Sequence, residues 1–181
     1  MIYPYTTWRP THYIRAEQAD TGAPNIYAED MQLHLETLSC EVWANPHFLK
    51  MFSWNKSNLH LIQGCDHYAK HFDNDDSPHL WHMPVLCTFG SSVNVAIQIA
   101  SLSFDEIFLV GCDLGYKDGN PSHFDKNYET GHTDIKNARY ANMDTLAAHM
   151  LAARSCPIPI YNATVGGELE VYPRVDFKSL F

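Results

Sequence analysis

The stretch from Met83 to Asp113 constrains the fold more than any other, because it reads in order as a turn, a helix and a buried strand ending in an acid. Val93, Ala96, Ile97, Ala100 and Phe104 recur near helical spacing behind Gly90, Ser91 and Ser92. A helix is therefore expected over 92–103, with Ser91 or Ser92 as its cap. Glu106 to Val110 is then a short apolar run with β-branched and aromatic residues, closed by Gly111, Cys112 and Asp113. Such a run suits a strand covered on both faces, as the parallel strands of α/β domains are. Two ligand-facing features follow. Small residues surround a helix N-terminus, whose free N–H groups favour an anion, and an acid stands at the carboxyl end of a strand. Together they read as the floor of a site for a phosphate-containing ligand. The alternative is a capped core helix followed by a turn aspartate, with no ligand at all.

The remaining chain alternates in the same way. Thr11 to Arg15, Cys40 to Ala44, Asn58 to Ile62 and Ile158 to Tyr161 read as strands. Pro24 can open a helix whose stripe is Met31, Leu35 and Leu38, and Asn45-Pro46 can cap a short one running to Phe52. Thr133-Asp134 can cap the longest helix, expected over 134–153 and ended by Pro157. Residues 64–84 are polar, irregular and histidine-rich, and 114–133 are rich in Gly, Asn, Asp and Tyr. Both read as loops over the carboxyl edge of the sheet. Asn162 and Thr164 are expected to organise the turn that ends in Gly166 and Gly167, and the tail from Val175 reads as a short apolar helix. This order predicts one α/β domain over 1–181, a Rossmann-like, doubly wound, mainly parallel sheet flanked by helices in an α/β/α sandwich.

Charge and cysteine usage narrow the functions. With 181 residues, net charge −9 and no basic run, the chain offers no electrostatic footprint for nucleic acid. No apolar stretch approaches the roughly 20 residues of a membrane span, and the first residues lack the pattern of a signal peptide, so the expectation is a cytoplasmic protein. Five cysteines without a CxxC pair suggest neither a disulfide framework nor a zinc ribbon. The eleven histidines include His67 and His71 at helical ligand spacing, but beside a polar run ending in Pro78, so no metal site is expected.

Several of these segments, taken in order, resemble a single superfamily. They are Trp8 to Arg15, Gly90-Ser91-Ser92 before a helix, Glu106 to Asp113, Ser122 to Asp125, Gly131 to Lys136 and Tyr161 to Gly167. That superfamily joins the bacterial lipooligosaccharide sialyltransferases to proteins related to archaeal 6-hydroxymethylpterin diphosphokinase, and the resemblance is closest from about Phe89 onward. It implies that Gly90, Ser91 and Ser92 contact the cytidine monophosphate part of a donor and that Asp113 is the strand-end acid. It further implies that His132 is general base on the acceptor hydroxyl, a role suited to an imidazole of pKa about 6.5. Tyr116 and Tyr128 are the candidates for stabilising the departing phosphate, although their loop spacing differs from the family's. His123 and Asp125 are expected as loop contacts, as is Asn162. Arg15 suits phosphate through its forked guanidinium. Members of the superfamily usually begin with a strand and a Gly-Asn-Gly-Pro-Ser turn that this sequence lacks. It reads as a fragment of a longer reading frame or as a reduced member.

Three functions stay open on these residues. The first is a glycosyltransferase-like domain that moves a sugar from a nucleotide donor of the CMP-sialic-acid type to a glycan hydroxyl, with no metal required. The second is a diphosphokinase acting on a pterin alcohol with ATP, in which Mg²⁺ would be served by Asp113, Asp118 and Asp125. The third is a non-catalytic nucleotide- or glycan-binding remnant. Oligomeric state is open in all three.

Overall fold

The computed structural model describes residues 10–15, 40–46, 57–65, 85–87, 92–115 and 138–181. In chain order these hold β1 (His12–Arg15), β2 (Glu41–Ala44), β3 (Leu59–Leu61), β4 (Gln63–Cys65) and β5 (Val85–Cys87). They continue with α1 (Ser92–Ala100), β6 (Ile107–Leu109), α2 (Ala138–Ser155), β7 (Ile160–Asn162) and a 3-10 helix (Phe177–Leu180). Every strand pair among the described residues is parallel: β1 with β2, β2 with β3, β4 with β5, and β6 with β7. Ile62 alone separates β3 from β4, and its N–H continues the ladder to Ala44 O at 2.8 Å. The run 59–65 thus pairs with β2 by its first part and with β5 by its second. Parallel neighbours need long crossovers. Helix α2 lies in the one between β6 and β7. The helices expected over 24–39 and 46–52 lie outside the described residues.

Helix α1 organises the interior. Val95 and Ile99 pack with Ile62, Ile14 and Trp43 on the β1–β3 side, while Ile97 and Val93 join Leu109, Ile160, Ala152 and Leu169 on the β6–β7 side. Asn94 and Gln98 fill a third face, where Asn94 Nδ2 donates to Ala148 O of α2 at 3.0 Å. Side chains at i and i+4 share a face, so three successive pairs give the helix three buried faces. Ile97, Val95 and Leu169 are at most 1% exposed, and each such burial contributes about 1.5–3 kcal/mol.

The differences from the sequence reading have local causes. Helix α1 stops at Ala100 because Leu102 and Ser103 donate back three residues, to Ile99 O and Ala100 O, tightening the last turn. Phe104, expected on the helical stripe, is consequently exposed. Strand β7 begins at Ile160 rather than Ile158, because Pro157 and Pro159 have no N–H to give a ladder. Pro159 contributes only its carbonyl, to Ile107 N at 2.9 Å. Strands β4 and β5 fall where the sequence reads as irregular chain and as a turn, since three residues are too few to display a period. Strand β6 has one ladder partner among the described residues, and its far side carries Phe108 stacked on Tyr161 with Val110 exposed. The tail forms a 3-10 helix capped by Asp176, with none of its residues buried.

Candidate functional site

The carboxyl end of β6 is where the described chain departs furthest from regular geometry. Gly111, Leu114 and Gly115 all have positive φ, at 74°, 46° and 142°, and Gly166 and Gly167 opposite them have 75° and 77°. For Leu114 that conformation is costly, on the order of 1–3 kcal/mol, and persists only where the surroundings hold it. Here two strands of contacts do so. Asp113 O accepts from Glu168 N at 2.6 Å and from Leu169 N at 3.2 Å, and Leu114 O accepts from Glu168 N at 3.1 Å. A Cβ on Gly167 would collide with the Asp113 backbone, so only glycine allows this approach.

The turn that meets Asp113 is built by buried polar side chains, as the sequence led one to expect of Asn162 and Thr164. Asn162 is fully buried; its Nδ2 donates to Leu169 O at 2.8 Å, and its Oδ1 accepts from Thr164 N at 3.0 Å. Thr164 Oγ1 in turn accepts from Cys112 N at 3.0 Å and ties the turn to the end of β6. Asn162 therefore serves the turn with both ends of its amide. The segment 173–175 runs alongside, with Asn162 N donating to Pro173 O and Val175 N to Asn162 O. Arg174 bonds the carbonyls of Thr164, Gly166 and Gly167.

Val93 of the first turn of α1 packs against the same buried cluster as Cys112 and Leu114, and Ser92 is the first helical residue. Asp113 itself is exposed. Beneath it, burial pushes the Cys112 thiol up to about 11, with the Asp113 carboxylate adding to the shift. Deeper, the Tyr172 hydroxyl lies 3.1 Å from both His149 O and His149 Nδ1. Burial lowers the His149 pKa to about 4 and raises that of Tyr172, with Cys112 and Cys156 adding to the tyrosine's shift.

Of the expected site residues, Ser92, Asp113 and Asn162 are described: Asp113 follows β6, Asn162 ends its ladder partner β7, and Ser92 opens α1. Arg15 closes β1 in a different sheet, paired with Ala44. Gly90, Ser91, Tyr116, Tyr128, His132, His123, Asp125 and Asp118 lie outside the described residues. No group of three metal-ligating side chains occurs among the described residues, and no helix there is long and apolar enough to cross a membrane. Glu168 and Arg174, which shape the rim, were not anticipated. Arg174 stands seven residues beyond the glycine it holds, and no spacing rule points to it. No known protein family, curated protein or solved structure matches this chain.

Proposed function

We propose that this is a Rossmann-like, doubly wound α/β domain that binds a nucleotide-activated sugar of the CMP-sialic-acid type at the carboxyl end of β6 and transfers it to a glycan hydroxyl. One observation carries the reading: Val93 in the first turn of α1 and Cys112 and Leu114 beyond β6 pack against one and the same hydrophobic cluster. Ligands of open parallel α/β sheets bind outside the carboxyl ends of strands, and a helix N-terminus beside that edge suits a phosphate. In this reading Gly90, Ser91 and Ser92 hold the phosphate and Asp113 a hydroxyl of the ribose or sugar. His132 takes the proton of the attacking hydroxyl as the bond to phosphate breaks, and Tyr116 and Tyr128 stabilise the departing group. The reaction needs no metal and is placed in the cytoplasm.

The test is thermal shift with cytidine monophosphate, uridine diphosphate, and ATP with and without Mg²⁺. A ligand at a hundredfold excess over its Kd stabilises the folded state by about 2.7 kcal/mol. A shift with cytidine monophosphate supports the reading, a shift only with ATP and Mg²⁺ replaces it by the diphosphokinase, and no shift leaves a domain that does not bind nucleotide. Asp113→Asn should abolish the shift while leaving the unliganded midpoint unchanged, because the main-chain carbonyl of Asp113, not its exposed carboxylate, carries the structural bonds.

A further inference from the structure

The guanidinium of Arg174 makes more contacts than a surface ion pair requires. Its Nε and NH2 nitrogens donate to Glu170 Oε1 at 3.0 and 2.7 Å, which orients the fork. The same group then donates to Thr164 O at 3.1 Å, Gly166 O at 2.5 Å and Gly167 O at 3.1 Å. Three carbonyls of one turn thus converge on a single cation. In a planar trans peptide the C=O and the following N–H point in opposite directions. Drawing these carbonyls to Arg174 therefore turns the N–H groups of Val165, Gly167 and Glu168 away from it. The Glu168 N–H is the one that reaches Asp113 O at 2.6 Å.

From this geometry we infer that Arg174 is a positioning residue: by gathering the carbonyls of the 164–167 turn it aims the Glu168 N–H at Asp113 O and fixes the backbone around Asp113. That the rim so fixed faces a ligand rests on the nucleotide reading; that Arg174 fixes it does not. Lysine cannot replace it in full, because one ammonium lacks the planar fork that spans three carbonyls and a carboxylate.

Amide hydrogen exchange on the full chain, paired with titration of cytidine monophosphate, tests this. Arg174→Gln should speed exchange at Glu168 and Leu169 about tenfold, the loss of roughly one charge-assisted hydrogen bond, and leave Ala148 and Leu151 in α2 unchanged. Arg174→Lys should fall between, and it serves in place of Arg174→Gln if that variant does not fold. Glu170→Gln should give a smaller change in the same direction. Unchanged exchange at Glu168 in both Arg174 variants overturns the inference. Faster exchange with unchanged affinity for cytidine monophosphate upholds the brace on the turn and refutes the claim that the rim it fixes faces the ligand. Faster exchange in a protein that binds no nucleotide even as wild type upholds the role of Arg174 and refutes the nucleotide reading alone.

Discussion

In the sheet of β1, β2 and β3, ring and carboxylate side chains meet one another across the strands, and one amide, that of Asn58, reaches the main chain at Cys40 O. Trp43 stacks on His60 with centroids 4.3 Å apart and donates through Nε1 to His12 Nδ1 at 3.2 Å, while His60 Nε2 meets Glu41 Oε2 at 2.5 Å. In the β6–β7 unit, beside such contacts as Phe108 on Tyr161, side chains also hold the backbone. Asn162, Thr164 and Arg174 hold main-chain groups, and positive φ angles cluster where the strands end. The first arrangement decorates a regular sheet whose stability comes from packing and the ladder. The second holds an irregular backbone in one shape.

The contrast breaks most sharply at glycine. Gly167→Ala should destabilise by about 3 kcal/mol or more, since strain at φ 77° adds to collision with the Asp113 backbone. Gly111→Ala, at φ 74° with open space around it, should cost only about 1–2 kcal/mol. Chemical denaturation of both variants separates collision from strain; equal midpoints would mean that the close approach to Asp113 is dispensable.

Acid tests the buried side of the same unit. Because the folded pKa of His149 lies near 4 and an unfolded histidine titrates near 6.5, the unfolded chain binds the extra proton between these values. Stability from this group is therefore intact above about pH 6.5, falls as pH drops towards 4, and levels below it, by at most about 3 kcal/mol. His149→Phe should flatten that part of the melting-temperature profile relative to wild type.

A smaller effect is expected at Asn162. Asn162→Ala leaves Leu169 O and Thr164 N without partners in a buried place, a cost of about 2 kcal/mol in urea denaturation. The smallest belongs to the other sheet. Glu41→Gln removes the carboxylate that meets His60 Nε2, a contact whose side chains are 45% and 41% exposed, so the loss should stay below about 1 kcal/mol. A larger cost there than at Asn162 would reverse the comparison.

How much of this was legible beforehand follows the length of each signal. Five strands and both described helices lie within a few residues of where spacing, caps and prolines put them, because those signals are local. The three-residue strands β4 and β5 carried too little pattern. Around the candidate site, the positions of Asp113 after β6 and Ser92 at the start of α1 were legible as element ends, and the turn made by Asn162 and Thr164 from its chemistry. Arg174 could not, since its five hydrogen bonds depend on where the chain returns.

The sequence by itself determined the alternation of short apolar strands with amphipathic helices, the breaks made by Pro157 and Pro159, and the turn at Gly166-Gly167. These follow from side-chain periodicity and backbone sterics, which act within a few residues. Only the tertiary structure decided that α1 buries three faces, that Gly167 abuts Asp113, and that Glu168 and Arg174 brace the end of β6. Those facts join residues such as Asp113 and Glu168, which no local rule pairs, and they arise from which crossover returns which segment to the same strand end.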